Sequence, residues 1–257
     1  MTERRIEFTI ADRVARIVLS NPARRNAIDG PCIRELAAAA AACEANPSLV
    51  AIVLSHQGDA FSVGGDLRDF MANRDRIGEH VGALADLFHA AVLSLRRAAA
   101  PVIAAVGGIA AGAGFSIVCG ADLVVATTSS RFVSAYTKSG LTPDGGGTWF
   151  LPRIVGHRAA FDLMATNPLL SGEQAKALGI VTRLVADDAL EAETDVLLAE
   201  LAAQPDGAVA ALKALFRRDE DAGLEAHLRA EAESIARMAA SPATLARLEE
   251  FLRPKPR

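Results

Sequence analysis

Three short runs, LVAIVLS (49–55), PVIAAV (101–106) and DLVVAT (122–127), constrain the fold more than any other feature of this 257-residue chain. Each is apolar almost throughout, the pattern of a strand covered on both faces. Such a sheet needs helices on each side, and helical patterns lie between the runs. An Ala-rich one opens at Pro31 and reaches about Ala45, and a long one spans about Gly78 to Ala98. Upstream, RIEFTI and VARIVLS read as two strands joined at Ala11-Asp12, with β-branched residues and partial alternation. From about residue 157 the chain reads mostly helical. SGEQAKALG has a helix start at Ser171 and a glycine stop at Gly179, and IVTRLV (180–185) is a short strand candidate. The segment 188–253 carries three or four helical patterns, parted near Gln204-Pro205 and Ser241-Pro242. The fold class is α/β, sheet-rich in its first part and helical at its C-terminal end, where helices often pack on a neighbouring subunit.

Bulk properties exclude several classes of function. With 51% hydrophobic and 23% charged residues the chain is not disordered. No apolar run reaches the roughly 18 residues of a membrane helix, and MTERRIEFTIADR alternates like a strand rather than like a signal peptide. A net charge of −4 argues against a general nucleic-acid binder, while Arg24-Arg25 and Arg68 remain candidates for a local anion-binding patch. Cys32, Cys43 and Cys119 form no CxxC pair and leave an odd thiol, which points to a reducing cytoplasm. The five histidines have no metal-ligand spacing, Ser116 is on no GxSxG elbow, and GAGFSI lacks the third glycine of a dinucleotide fingerprint.

Three glycine-rich turns carry what chemistry is visible. AFSVGGDL (60–67) follows the strand LVAIVLS, and GGIAAGAG (107–114) follows PVIAAV and leads into a helical segment. Small residues at such junctions leave backbone N–H groups unshielded. Two turns facing each other can hold a carbonyl oxygen as negative charge develops on it, with a helix N-terminus behind the second adding a favourable dipole. The third turn, SGLTPDGGGTWFLP (139–152), sets Asp144 between a proline and three glycines. Pro-Asp-Gly is also ordinary turn chemistry.

Taken in order, NPARRNAID, AFSVGGDL, PVIAAVGGIAAGAGFSIVCGADLVVA, RFVSAY and SGLTPDGGGTWFLPRIVG resemble the crotonase (enoyl-CoA hydratase/isomerase) superfamily, over roughly residues 5 to 253. The resemblance implies a crotonase-like spiral of ββα units with a helical C-terminal region. Residues 1–200 would form the acyl-CoA-binding core, and 201–257 a helical region serving oligomerisation and covering the site. It implies an acyl-CoA thioester substrate, coenzyme A being part of that substrate and no separate cofactor or metal being needed. It also implies a homo-oligomer, trimer or dimer of trimers. By position, the oxyanion donors are the backbone N–H groups of Gly65 and Ala113, and Arg24, Arg25, Ala27, Leu67 and Arg68 fall where the family contacts CoA.

This chain departs from the family at the two glutamates of its hydratases, which align with Ser116 and Tyr136. Neither is a base near neutral pH. Asp144 matches the lone carboxylate of the family's Δ3,Δ2-enoyl-CoA isomerases and of the ring-opening isomerase of phenylacetate degradation, and LTPDGGGTWFLP resembles the latter. One acid suffices to move a proton, so an isomerase is the favoured expectation. A hydratase with non-standard residues is one alternative. A second is a hydrolase like the 4-chlorobenzoyl-CoA dehalogenases, with Asp144 as nucleophile and His89 and Tyr136 at matching positions. A third is a non-catalytic protein that binds CoA thioesters or a partner. Phe61, Phe70, Phe88, Tyr136, Trp149 and Phe150 are candidates to line an apolar acyl pocket, although aromatics in apolar stretches are usually core.

Overall fold

The computed structural model describes residues 4–218 and 221–253, so the ends of the 1–200 and 201–257 regions lie outside the described residues. Within it, β1 (Ile6–Ala11), β2 (Val14–Leu19), β3 (Ala51–His56), β5 (Val102–Val106), β7 (Leu123–Thr127) and β10 (Arg183–Val185) form one sheet in that order, parallel except for the β1–β2 hairpin. The hairpin turns at Asp12 and Arg13, both at positive φ, one residue beyond the expected Ala11-Asp12. Two consecutive left-handed residues are the geometry of a type I′ turn, whose twist matches that of the strands.

The three apolar runs are strands buried on both faces. Ile52, Leu54, Val102, Ala104, Val106, Val124 and Ala126 join the main core with α1 (Gly30–Glu44) and α3 (Ile77–Arg97). The alternate residues Ala51, Val53, Ile103, Ala105 and Val125 pack in a second core with Leu197 and Leu198 of α8 (Leu190–Ala202). Period-two alternation thus persists, but both of its faces are apolar.

A second sheet, absent from the sequence reading, consists of β4 (Ala60–Ser62), β6 (Ile109–Ala111), β8 (Arg131–Val133) and β9 (Leu170–Ser171). Strands of two or three residues carry no readable periodicity. Each of β4, β6 and β8 follows a strand of the first sheet; β4–β6 and β6–β8 pair in parallel and β8–β9 antiparallel, so the chain winds as stacked ββα units. The remaining helices are α2 (Leu67–Ala72), α4 (Ala113–Gly120), α5 (Gly147–Val155), α6 (His157–Thr166), α7 (Gly172–Ala177), α9 (Ala208–Arg217), α10 (Asp221–Ala239) and α11 (Pro242–Leu252). Ser171 caps α7 in a capping box with Gln174, as its spacing indicates. The long helix α10 lies along α3 and also touches α5, while α11 packs on α2. Among the described residues, no helix is long and apolar enough to cross a membrane.

Candidate active site

Gly65 follows β4 and Ala113 follows β6, equivalent positions in two successive ββα units. Pairing of β4 with β6 sets the two turns side by side. A Cβ at Gly64 (φ +88°) would stand 2.9 Å from the Ala111 carbonyl oxygen and 3.3 Å from the Ala113 nitrogen. Only glycine permits that approach. Ile28 donates to the Gly64 carbonyl and accepts from Asp66 N–H, a parallel bridge that turns the Gly65 N–H away from the ladder. Ala113 is the first residue of α4, where an N–H has no partner within its helix. Neither the Gly65 nor the Ala113 N–H donates to any other described group.

Both residues line one apolar cavity with Asp144, together with Ile28, Ile33, Phe70, Val81, Leu84, Ala85 and Phe88. Asp144 is the one ionisable side chain of this set. Each glycine after it is needed for its own reason. Gly145 (φ +64°) would put a Cβ 2.3 Å from the Phe88 ring, Gly146 (φ +77°) one 2.5 Å from the Phe150 ring, and Gly147 one 2.8 Å from Ser116 Oγ. The loop is therefore pressed flat against α3, α4 and its own helix.

Asp144 Oδ1 accepts a 2.6 Å hydrogen bond from the Tyr136 hydroxyl. With that proton committed, Ser116 donates to the phenol oxygen at 3.1 Å, giving a buried chain from Ser116 through Tyr136 to Asp144. The two residues aligned with the family's glutamates thus support the aspartate. Burial pushes the Asp144 carboxyl up to about 6, with the Tyr136 bond opposing, and holds the Tyr136 phenol well above its ordinary range. At neutral pH Asp144 is a buried, ionised carboxylate with raised proton affinity, suited to take a proton and give it back.

His89 stands behind the loop rather than in the cavity. Its Nε2 accepts the Gly145 N–H at 3.0 Å, which puts the ring proton on Nδ1, and burial holds it down to about 4, so it is neutral. Its Nε2 lone pair is occupied by the loop backbone.

On the segments that flank the cavity-lining Ile28 and Gly65, Arg24 pairs with Asp66 at 2.7 Å, and Asp66 also caps α2 by accepting the Arg68 N–H at 3.0 Å. Leu67 opens the same helix, Arg25 (φ +50°) gives its carbonyl to Val63 N–H, and buried Ala27 donates to the Arg24 carbonyl. All five positions flagged from the sequence gather here. Of the six aromatic candidates, Phe70 and Phe88 line the cavity. Phe61, the middle residue of β4, points into the main core, Phe150 packs under Gly146 and Gly120, and Trp149 lies against His227 and the Arg153 guanidinium. Phe61 and Phe150 are buried in the core and Trp149 packs partly buried against it, the commoner setting of aromatics in apolar stretches.

The sequence reading missed two residues. Asn26 (φ +53°) accepts from Asn21 N–H and donates to the Gln57 and Ala60 carbonyls, tying the arginine segment to β4; its left-handed tolerance was the available signal. Glu231 of α10, buried, accepts the N–H groups of Gly146 and Thr148 at 2.8 and 3.0 Å. Nothing in the local sequence connects it to a loop more than eighty residues earlier.

Comparison with known proteins places the chain among relatives of known family and fold. Residues 9–250 match the family described as enoyl-CoA hydratase/isomerase. The chain is 33% identical over 219 residues to the 1,2-epoxyphenylacetyl-CoA isomerase of Escherichia coli strain K12, covering 85% of this chain and 84% of that one. It is 34% identical over 232 residues to a probable enoyl-CoA hydratase of Rhodobacter capsulatus, covering 90% and 88%. A crystal structure of an enoyl-CoA hydratase from Mycobacterium avium subsp. paratuberculosis K-10 superposes with a TM-score of 0.87 at 26% identity, over 96% of this chain and 95% of that one.

Proposed function

The chain belongs to the enoyl-CoA hydratase/isomerase family, and from that premise we propose that it is an enoyl-CoA isomerase in which Asp144 carries the proton. The observation that carries the reading is that one cavity is lined by a single carboxylate, Asp144, and by Gly65 and Ala113, whose N–H groups are unengaged among the described residues. The thioester carbonyl oxygen would accept both N–H groups, with the N-terminus of α4 behind it. Asp144 then removes a proton from the carbon α to the carbonyl or from its vinylogous position. The C–H electron pair becomes the new double bond, and the displaced π electrons reach the carbonyl oxygen as an enolate that the donors stabilise. Returning the proton to another carbon re-forms the carbonyl and leaves the double bond moved. No water is consumed and the acid is regenerated.

Hydration is less well supported, since a second carboxylate to activate water is missing from the lining residues and the aligned positions hold Ser116 and Tyr136. In the same reading Arg24, Arg25, Ala27, Leu67 and Arg68 contact CoA, which enters as part of the substrate. The subunits form a trimer or a dimer of trimers in the cytoplasm. Leu212, Leu215 and Phe216 on α9 present an exposed apolar strip suited to a neighbouring subunit, testable by light scattering.

The reaction is tested with a panel of 2-enoyl-, 3-enoyl- and aromatic acyl-CoA thioesters, analysing products by chromatography and mass. The expected product is an isomer of unchanged mass, formed by the native enzyme and lost in Asp144→Asn. A product heavier by one water, formed equally by the variant, would overturn the assignment.

A further inference from the structure

Four consecutive backbone N–H groups follow Asp144, and each is engaged elsewhere. Gly145 donates to His89 Nε2 at 3.0 Å, Gly146 to Glu231 Oε2 at 2.8 Å, Gly147 to the Asp144 carbonyl at 3.1 Å and Thr148 to Glu231 Oε1 at 3.0 Å. The Thr148 hydroxyl also donates to Glu231 and receives the His227 Nε2–H at 2.6 Å. None of the four reaches the Asp144 carboxyl. The arrangement matters because two successive left-handed glycines followed by the head of a nine-residue helix make a natural anion cradle. The acid beside that cradle in the chain is Asp144. A carboxylate that accepts two or three backbone N–H groups loses its proton affinity and with it its value as a base.

The acceptor that fills the cradle instead is the Glu231 carboxyl of α10. We propose that Glu231 is a positioning residue for Asp144: by taking the N–H groups at the head of α5, it fixes the loop with Asp144 toward the cavity and withholds from Asp144 the donors that would weaken it as a base. Glu231 is 5% exposed and makes two backbone bonds and one hydroxyl bond to this loop. The groups facing the two carboxyls are Tyr136 from the loop after β8, His89 from α3 at 3.6 Å from Glu231, and His227 from α10 at 3.7 Å, with Arg153 of α5 acting on His227. Both histidines are held down by burial, so neither supplies a neutralising charge. Burial pushes Glu231 up to about 7, and the Asp144 charge acts in the same direction. The Asp144 charge is thus felt at Glu231 across the loop.

The inference rests on the reading of Asp144 as proton carrier, and the test separates the two. Glu231→Gln, Glu231→Asp and Asp144→Asn are made in the full chain. Turnover of a thioester active in the panel above gives kcat, KM and the pH profile. Infrared difference spectra, native minus Asp144→Asn, follow the Asp144 carboxyl band against pH without turnover. For Glu231→Gln the expected result is a kcat lower by about tenfold or more from loss of alignment, with KM within about threefold. The Asp144 midpoint should move to lower pH by about one unit, a tenfold loss of proton affinity. Glu231→Asp, too short to hold both amides, should show the same signs at smaller size and serves if the glutamine variant does not fold. A fall in kcat with the Asp144 midpoint unmoved or raised would make Glu231 a merely structural prop and overturn the inference, as would native kinetics. If Asp144→Asn itself retains activity, the proton-carrier reading fails first; if it is inactive while Glu231→Gln leaves the carboxyl band in place, only the Glu231 inference fails.

Discussion

The two walls of the cavity are built by opposite means. The wall at Gly65 and Ala113 is made of backbone, set by short strand pairings and by glycines that let two turns touch. The wall at Asp144 is a loop held by side chains: nearby Tyr136 and, from distant parts of the chain, His89 of α3 and Glu231 of α10. A backbone donor has no side chain to delete and keeps its hydrogen-bonding ability at every pH. The acid has a proton affinity that each supporting group can move. The first wall should resist most side-chain substitutions and respond to changes of the backbone itself, whereas the second should respond to single atoms and to pH.

The largest expected effect would break the backbone wall. Ala113→Pro removes one N–H at the first residue of α4, a position where proline fits a helix. Loss of one such donor is expected to lower kcat/KM by about 10²–10³, with a melting temperature close to native; unchanged kinetics would show that this N–H binds no developing charge.

On the acid wall, Tyr136→Phe removes the bond that opposes the rise in Asp144 proton affinity. The carboxyl is then protonated at higher pH than before. Activity, which needs the ionised base, should fail on the acid side of the profile at a pH above the native midpoint near 6. A fall in kcat of about tenfold is expected from looser placement, and an acid limb that stays in place or moves down would remove Tyr136 from this role.

The acid wall should also carry a stability cost that the backbone wall lacks. Asp144 titrates at 3.8 in its ordinary setting and near 6 when folded, so ionising it opposes folding. The sign is that of a raised carboxyl: the cost is absent below about pH 4, grows as pH rises and is complete above 6. About two pH units correspond to about 3 kcal/mol. Asp144→Asn should therefore unfold at higher denaturant than the native protein at pH 8, and the gap should close as pH falls to 4. A variant less stable at pH 8 would refute this.

The smallest effect is expected at the arginine segment. Arg24→Ala should raise KM for acyl-CoA a few-fold, less at high salt, and leave kcat in place, because a half-exposed arginine acts through screened charge. A change in kcat alone would point to loss of Asp66 support for α2 instead.

Legibility in the sequence followed the same division. The buried strands declared themselves as apolar runs, and the turns at Gly65 and Ala113 showed as glycine clusters because backbone approach has a residue signature. Asp144 was visible for the same reason, being framed by Gly145, Gly146 and Gly147, each pressed on a ring or hydroxyl. The second sheet was not visible, since three residues such as Ala60–Ser62 establish no period. Glu231 was not visible either: a glutamate on a helix reads as a solvated face, and only the return of α10 along α3 brings it to the loop. Trp149 and Phe150 stayed ambiguous, since an aromatic beside an active loop looks the same in sequence whether it lines the cavity or props the loop from behind.

The most direct test of the proton carrier follows a label inside one turnover. A 3-enoyl-CoA bearing deuterium at the carbon to be deprotonated is converted in ordinary water, and the product is analysed by mass and NMR. One buried carboxylate that removes and returns the proton within a cavity should carry a measurable share of the deuterium to the newly protonated carbon, with no gain in mass, and Asp144→Asn should abolish both transfer and turnover. A product stripped of all label, or heavier by one water, would contradict a single-acid shuttle at Asp144.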